Sequence, residues 1–206
     1  MSTMRIAVCV SGRGSNLAAL LEALGPDEPA RVVLVLSNRA EAGGLEHARA
    51  HGIPTTVLTD PADADAWLSA LDAAQADLIV LAGYLKLVPA RVVQRYSGRI
   101  INIHPALLPD FGGPGMYGRR VHEAVIASGA SNTGATVHLV DEEYDRGQIL
   151  AQQTVPVKPG DTPESLAQRV LAVEHQLLPA VVLAAARAGR PVPIASPATL
   201  ESSRER

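Results

Sequence analysis

Short apolar runs rich in β-branched residues alternate along the chain with segments whose apolar residues recur every three or four positions. The runs predict buried strands, and the helical spacing predicts amphipathic helices between them. Parallel strands joined by right-handed crossovers produce this alternation. The predicted fold is α/β, a doubly wound, mostly parallel twisted sheet with helices on both faces. The predicted strands are Met4–Val10, Val32–Ser37, Thr56–Leu58, Leu78–Ala82 and Ile100–His104, and the helices between them are Asn16–Leu24, Gly44–His51, Asp65–Ala74 and Pro89–Tyr96.

The pattern changes after Pro105. Residues Leu107–Gly118 hold four glycines and two prolines, which predicts a long irregular loop. Loops of this length within a domain are often functional. The remaining elements are predicted as a helix at Val121–Ser128, strands at Thr136–Val140 and Ile149–Val155 with an acidic loop between them, and a long amphipathic helix from Thr162 to about Ala188.

The length of 206 residues is typical of one domain. We expect a single domain over residues 1–190 and a polar C-terminal tail over 191–206. Hydrophobic residues make up 47% of the chain and aromatic residues only 3%, so the core is expected to be large and aliphatic. A net charge of −3 provides no broad basic field, which argues against nucleic acid as the main partner.

The single cysteine, Cys9, lies in an apolar strand, so no internal disulfide can form and a reducing compartment is expected. We identify no apolar run as long as a membrane span and no signal-peptide pattern at the N-terminus. The expectation is a cytoplasmic protein that acts on small molecules, with neither a nucleic acid nor a membrane as its partner. The sequence does not indicate an oligomeric state.

The segment Ile101–Pro105 carries the strongest indication of chemistry. Alternation along a strand places Asn102 and His104 on one face, and Pro105 cannot donate to a ladder, so it ends the strand. Open α/β sheets bind ligands at this C-terminal edge. A carboxylate from Asp145 would complete a set for proton transfer and oxyanion stabilisation. A capping asparagine beside a structural histidine is the alternative, and this segment alone leaves both interpretations open.

A glycine-rich loop, Ser11–Asn16, follows the first predicted strand and opens the first helix. Glycines allow a close backbone approach to a ligand, and a helix start presents free N–H groups. The loop lacks the third glycine of the dinucleotide fingerprint, where Leu17 stands, and the lysine of the triphosphate loop. A monophosphate held by the amides of Gly14, Ser15 and Asn16 fits better. A tight structural turn capped by Ser15 or Asn16 is the alternative.

No metal site is predicted. His122-Glu123 begins a zinc-protease pattern, but Ile126 occupies the position of the second histidine. His47 and His51 would share a helix face, yet no third ligand stands at a familiar spacing.

Two acidic features remain open at this stage. The run Asp141–Asp145 is either a solvated loop or part of a site near the histidine. Glu174 and His175 interrupt an apolar stretch of the last predicted helix. Such a polar pair is either exposed or turned inward to a ligand, and the sequence does not choose.

Taken together, these motifs resemble the phosphoribosylglycinamide formyltransferases, a folate-dependent family of purine biosynthesis within the formyltransferase superfamily. The resemblance runs from about Met4 to Pro179 and implies a Rossmann-like formyltransferase fold. It is carried by Ser-Gly-x-Gly-Ser-Asn-Leu after the first strand, Asn-Ile-His-Pro-x-Leu-Leu-Pro in the middle, Thr-Gly-x-Thr-Val-His-x-Val-Asp-Glu, and Asp-x-Gly-x-Ile-Leu-x-Gln.

The resemblance implies that 10-formyltetrahydrofolate, as co-substrate, donates its formyl group to the amine of 5-phosphoribosylglycinamide. The implied reaction is a direct transfer through a tetrahedral intermediate, without a metal. Residue by residue, it implies the catalytic trio Asn102, His104 and Asp145, the ribonucleotide-binding residues Gly14, Ser15, Asn16 and Glu174, and the folate-binding residues Leu85, Lys86, Leu87, Val88, Asn102 and Asp141.

The chain departs from the family in three places. An arginine that reaches the folate in some relatives has no counterpart in Pro61–Ala66, and Leu171 stands where some relatives have glutamine. The loop Phe111–Tyr117 is longer than in the commonest bacterial pattern, and the sequence does not reveal its role.

Two rival functions stay open. A formyltetrahydrofolate hydrolase would use the same trio with water as the acceptor, although such enzymes usually carry an additional N-terminal domain and the first strand here begins at Met4. A non-catalytic module for sugar phosphates would keep the glycine loop without needing Asn102, His104 and Asp145 together.

Overall fold

Seven strands and six helices alternate along residues 3–195, the part of the chain that the computed structural model describes. The strands are β1 (Met4–Val10), β2 (Ala30–Ser37), β3 (Thr55–Val57), β4 (Leu78–Leu81), β5 (Ile100–His104), β6 (Asn132–Leu139) and β7 (Ile149–Pro156). The helices are α1 (Ser15–Ala23), α2 (Gly43–Ala50), α3 (Ala64–Ala73), α4 (Ala90–Arg95), α5 (Arg119–Ser128) and α6 (Pro163–Ala188).

All seven strands form one sheet in the order β3-β2-β1-β4-β5-β6-β7. Neighbours among the first five strands pair in parallel, whereas β6 runs antiparallel to both β5 and β7. The predicted α/β, mostly parallel sheet is confirmed. The chain builds outward from β1 to β3 and then crosses back to β4, so the strand order reverses between β1 and β4. Ligands of open α/β sheets bind at such a switch point.

The core occupies both faces of the sheet, because alternate residues of each strand point to opposite sides. On β1, Val8 and Val10 belong to the cluster that packs against α1 and α6. Ala7 and Cys9 belong to the second cluster, with Trp67 of α3 at its centre. The helices therefore cover both faces, as the doubly wound fold requires.

Helix α6 is the longest element of the described chain and closes one face of the sheet. By length and composition alone, α6 is long and apolar enough to cross a membrane, with a mean hydropathy of 1.4 over its most apolar window. The prediction that no segment would do so is wrong. Nevertheless Leu177, Leu178 and Val181 are fully buried in the core shared with the sheet and α1, so the apolar composition of α6 reflects packing inside this fold.

The predicted elements are all present, with shifted ends. The largest shift is in β6, which begins at Asn132 rather than Thr136 because its first residues pair with β7. Such cross-strand pairing depends on a partner distant in sequence. Within the predicted tail, the amide of Ile194 donates to the carbonyl of Leu150, 2.8 Å away. Residues 196–206 lie outside the described part of the chain.

Candidate active site

A cavity of about 720 Å³ opens at the C-terminal ends of β1, β4 and β5. Its walls come from the start of α1, the loops that follow β4, β5 and β6, and the first half of α6. The structure brings all the site residues predicted from the sequence to this one cavity: Gly14, Ser15, Asn16, Leu85, Lys86, Leu87, Val88, Asn102, His104, Asp141, Asp145 and Glu174.

Asn102 faces His138 across the antiparallel pair of β5 and β6. The Asn102 Nδ2 and His138 Nε2 atoms lie 3.1 Å apart, and His138 Nδ1 lies 2.8 Å from the carbonyl oxygen of Leu139. Because a carbonyl only accepts, Nδ1 carries the hydrogen, and Nε2 of the neutral ring accepts from the Asn102 amide. This bond orients the amide and leaves its other Nδ2 hydrogen for a ligand oxygen.

His104 is held by a hydrogen bond at one ring nitrogen and is only 4% exposed. Nε2 donates to the carbonyl oxygen of Phe111 at 2.9 Å, and Nδ1 lies 3.6 Å from Asp145 Oδ2. Since Nε2 must carry a hydrogen for its bond, the nitrogen that gains or loses a proton is Nδ1, beside the carboxylate. A direct donation from His104 Nε2 to a substrate oxygen would compete with the bond to Phe111.

Asp145 joins three parts of the site. Its backbone lies in the left-handed region, with φ of 56°, and its side chain is largely buried. Oδ2 accepts from the Gly113 amide at 2.9 Å, and Oδ1 lies 3.5 Å from His138 Nε2. The same carboxylate therefore lies between the imidazoles of His104 and His138 and fastens the loop Leu107–Gly118 to the loop after β6.

Burial and charge set the protonation states of this pair. Burial lowers the pKa of His104 below its ordinary value, more than Asp145 and the Phe111 carbonyl raise it. Burial alone would raise the pKa of Asp145, but the Gly113 amide, together with the imidazoles of His138 and His104 when these rings are protonated, holds it below its ordinary value. Asp145 thus raises the pKa of His104, although burial lowers it by more. At neutral pH the pair is a neutral imidazole beside a carboxylate, which can accept a proton.

The start of α1 presents backbone amides rather than a side-chain cap. Gly14 is the N-cap in the left-handed conformation, with φ of 78°, and no side chain caps this helix. In contrast, Asp63 caps α3 and Thr162 caps α6. A cap by Ser15 or Asn16, the alternative left open by the sequence, is not formed. The first-turn amides have no intrahelical acceptor, so they remain available to an anion in the cavity.

Gly14 is also required by packing. A Cβ at this position would lie 2.4 Å from the Cα of Gly44 in α2, closer than any side chain can approach. The Gly44 amide donates to the carbonyl of Gly12 at 3.0 Å, which fixes the loop on that helix. A Cβ at Gly12, by contrast, would meet nothing within 4 Å. The two glycines therefore differ: one is required by a close approach, and the other borders open space.

Glu174 is turned inward and is 7% exposed, which resolves the alternative left by the sequence. Its Oε2 accepts from Asn16 Nδ2 at 2.6 Å. Burial raises the pKa of Glu174 to about 7, although the bond from Asn16 lowers it. Asn16 thus belongs to the first turn of α1 and also binds the buried carboxylate of α6. Its Oδ1 has no hydrogen-bond partner within residues 3–195.

The opposite wall of the cavity is more apolar. Leu85 and Leu87 are 44% and 48% exposed, unusually high for leucine, and both line the cavity. The Leu85 amide donates to Ser11 Oγ at 2.9 Å, which ties this segment to the loop after β1. Val140 and Asp141 face the same space from the loop after β6. An apolar cleft edged by backbone groups suits a flat heterocycle.

Three groups in or beside the cavity received no role from the sequence. His138 lies on β6 two residues from Thr136. Polar residues at alternate positions of an apolar strand share one face, and this pattern could have indicated His138 as a site residue. His122 was considered only for a metal pattern, yet it is 5% exposed and lines the cavity. Phe111 contributes its backbone carbonyl. Since every residue type has a backbone carbonyl, the sequence could not predict this contact.

Two of the expected departures concern side chains that would reach the cavity. The cations that line it, among the described residues, are Arg13, Lys86 and Arg119, and none comes from residues 61–66. Leu171 lines the cavity where some relatives were expected to place glutamine. Within residues 3–195, no cluster of three or more histidine, cysteine, aspartate or glutamate side chains is placed to hold a metal ion.

Comparison with known proteins places the chain in a family. Residues 4–182 match the family model described as formyl transferase. A chloroplastic phosphoribosylglycinamide formyltransferase of Arabidopsis thaliana is 47% identical over 86% of this chain, which spans 64% of that relative. The Mycobacterium tuberculosis (strain CDC 1551 / Oshkosh) phosphoribosylglycinamide formyltransferase is 46% identical, over 90% of this chain and 86% of its own length. The chain therefore spans less than two thirds of the plant relative.

Solved structures agree with the sequence relatives. The crystal structure of phosphoribosylglycinamide formyltransferase from Brucella melitensis superposes with a TM-score of 0.81 at 46% identity, covering 90% of this chain and 96% of that one. A formyltetrahydrofolate deformylase from Pseudomonas syringae pv. tomato is more distant, at 28% identity and a TM-score of 0.78. The match covers 88% of this chain and 62% of the deformylase.

Proposed function

The chain belongs to the formyl transferase family, and from this membership we propose that it transfers a formyl group from 10-formyltetrahydrofolate to the amine of 5-phosphoribosylglycinamide. The observation that carries the proposal is the meeting of Asn102, His104 and Asp145 between an uncapped helix start and an apolar cleft. One cavity thus offers an anion site, a site for a flat ring, and acid–base groups between them.

The ribonucleotide end is assigned to the α1 side of the cavity. The free amides of Ser15 and Asn16, together with the positive end of the helix dipole, suit a phosphate. Glu174 can accept hydrogen bonds from hydroxyl groups of the ribose. Because Asn16 binds Glu174 directly, the phosphate and ribose sites share one side chain.

The folate end is assigned to the cleft formed by Leu85, Leu87, Val88 and Val140. The two exposed leucines gain favourable burial when a ring covers them, at about 25 cal/mol per Å² of apolar surface. The backbone groups of the 85–88 segment and the Asp141 carboxylate can hydrogen bond the ring edge. This placement brings the formyl group toward the end of β5.

Asn102 supplies the donor for the oxygen of the formyl group. As the amine attacks, negative charge develops on that oxygen, and a fixed donor stabilises it without reorganisation. The amide is fixed because its Nδ2 already donates to His138. His138 is therefore a positioning residue in this scheme.

His104 and Asp145 handle the proton. Attack places positive charge on the amine nitrogen, which must lose a proton while the leaving folate nitrogen gains one. His104 Nδ1 is the nitrogen with a free lone pair, and Asp145 stabilises the imidazolium that forms there. The proton held at Nδ1 can then be returned to the leaving group, so neither a metal nor a covalent enzyme intermediate is needed.

A direct assay tests the proposal. Purified protein is mixed with 10-formyltetrahydrofolate and 5-phosphoribosylglycinamide, and the absorbance of the released folate is followed. We expect release to depend on both substrates, with formylated ribonucleotide found in equal amount. Release at the same rate without ribonucleotide would instead identify a hydrolase, the function of the more distant deformylase relative.

We propose that the partners are these small molecules and that the protein works in the cytoplasm. The buried thiol of Cys9 suits a reducing compartment. Cell fractionation with an antibody to the chain tests the location, and recovery in a membrane or secreted fraction would contradict it.

A further inference from the structure

His122 is the one imidazole of the cavity that the proposed chemistry does not use. It lies in the second turn of α5, lines the cavity, and is 5% exposed. Its Nδ1 is enclosed and has no hydrogen-bond partner among residues 3–195. A buried N–H without an acceptor carries a large desolvation cost, so the form of the ring that leaves only a lone pair at Nδ1 is favoured.

The surroundings determine which form of the ring is present. Burial lowers the pKa of His122, and the neighbouring His104 lowers it further, so the ring is neutral at pH 7. A neutral ring has one hydrogen. An enclosed N–H without an acceptor is rarer and costlier than an enclosed lone pair, which places the hydrogen on Nε2.

The Nε2 atom is the nitrogen that can reach a ligand. Among the His122 ring nitrogens of the described chain, Nδ1 is enclosed without a partner and Nε2 is not. His122 lines the cavity and is 5% exposed, so we assign its single N–H donor to the cavity side of the ring.

The position of His122 indicates which substrate it meets. α5 packs on α6, the helix that carries Glu174, and His122 is close enough to His104 to sense its charge. Because it lines the same cavity as Glu174 and lies near His104, we assign it to the part of the ribonucleotide between the ribose and the reacting amine. In that substrate a carboxamide group joins the ribose to the reacting amine, and its oxygen is an acceptor.

We infer that His122, as the Nε2–H tautomer, binds the acceptor substrate by donating a hydrogen bond to its carboxamide oxygen. This inference rests on the proposed function for the identity of the substrate. His122 holds the substrate and takes no proton from it, so its removal weakens ribonucleotide binding and leaves turnover and folate binding nearly unchanged.

Three substitutions separate this role from a structural one. Glutamine places its amide nitrogen near the position of Nε2, asparagine places it near Nδ1, and leucine keeps the volume without a donor. We expect His122→Leu to raise the Michaelis constant for the ribonucleotide roughly tenfold, the value of one hydrogen bond. His122→Gln should stay within about threefold of wild type, and His122→Asn should resemble the leucine variant. The matched control is His51→Leu, an exposed histidine outside the cavity.

Each result decides the inference. An unchanged Michaelis constant in His122→Leu, with its melting temperature retained, overturns it. Better rescue by asparagine than by glutamine also overturns it, because the donor would then be Nδ1. A selective loss of turnover with a changed pH profile would mean that His122 is a proton acceptor instead, contrary to the inference.

Nitrogen NMR of the wild-type protein tests the tautomer without any assay of activity. With the ring nitrogens labelled, we expect the Nε2–H pattern for His122 in the free protein and a shift of that hydrogen on adding ribonucleotide. An Nδ1–H pattern would overturn the inference whatever the reaction catalysed. Failure of the formyl-transfer assay with the expected NMR pattern would instead reject the proposed function and leave the tautomer standing.

Discussion

The two halves of the cavity differ in how their polar groups are satisfied. In the reaction half, formed by Asn102, His104, His138 and Asp145, the side chains bond or approach one another and nearby carbonyls and amides. In the binding half, formed by Gly14–Asn16 and Glu174, the helix start has no cap and a carboxylate is buried with a raised pKa.

This difference indicates that the reaction half is rigid before a substrate binds, whereas the binding half is stabilised by its ligand. A satisfied network is held in one geometry before the substrate arrives, which is what stabilisation of a transition state requires. Unsatisfied donors and a buried acid destabilise the free protein, and a ligand relieves that cost on binding. Substitutions in the reaction half should therefore change turnover, and those in the binding half should change affinity and stability.

The largest expected effect is on turnover in the reaction half. Asn102→Ala and His104→Ala should each lower turnover on the order of 10² to 10³, the usual loss for one oxyanion or acid–base group. Both Michaelis constants should stay within about a few-fold. Steady-state kinetics of the single and double variants checks this. Because both residues serve one transition state, the double variant should lose less than the product of the single losses. Near wild-type turnover in either single variant would contradict the assignment of that residue.

Asp145→Asn tests the pairing within the reaction half. The change keeps the shape and removes the charge that favours protonation of His104, so turnover should fall about a hundredfold. The pKa of His104, already lowered by burial, should fall further. An NMR titration of the wild-type and variant proteins measures that shift, and an identical pKa in both would show that the two groups are not coupled.

In the binding half, Gly14→Ala should cost stability as well as affinity. Its Cβ would clash with the Gly44 backbone, and alanine is strained at a φ of 78°, so we expect a loss of about 2–4 kcal/mol in unfolding free energy. If the added Cβ only hindered phosphate binding, the variant would show a higher Michaelis constant for the ribonucleotide and no loss of stability. Urea unfolding measures the loss. Gly12→Ala is the control, because its Cβ meets open space, and equal losses in both variants would refute the packing argument.

The smallest expected effect is on stability in the binding half. It sharpens the comparison most, because replacing Glu174 should stabilise the free protein rather than destabilise it. Glu174 has a folded pKa raised to about 7, so its stabilising contribution is present at low pH and is lost as the pH rises through that value. Glu174→Gln should therefore stabilise the free protein by about 1–3 kcal/mol above pH 7 and by little near pH 5. The same variant should bind ribonucleotide more weakly. Chemical denaturation at the two pH values provides the measurement, and a destabilised variant at pH 8 would contradict the buried-acid argument.

Much of the site was predictable because it depends on local rules. Strand alternation placed Asn102 and His104 on one face, and a glycine loop between a strand and a helix placed the amides of Ser15 and Asn16 at the sheet edge. The acidic loop after β6 offered Asp145, and the resemblance added Glu174 to the same cavity. Their roles in catalysis and binding remain predictions for the kinetic experiments.

Other features depended on contacts that no local pattern specifies. The partner of Asn102 is His138, on a strand that pairs with β5 only in the folded sheet. The bond from His104 goes to a backbone carbonyl of Phe111, and any residue type supplies a carbonyl. The inward turn of Glu174 follows from the packing of α6 on α1, which the sequence left open.

The sequence by itself determined the order of strands and helices, the aliphatic core and the residue types that gather at one edge of the sheet, because periodicity and glycine or proline positions act over a few residues. The tertiary structure alone decided which groups pair, which nitrogen of each imidazole is free, and in which direction each pKa moves. Those properties depend on burial and on distances between residues far apart in the chain, and burial is a property of the whole fold. For His104, burial lowers the pKa more than the nearby Asp145 carboxylate raises it, and the residue types alone do not predict this result.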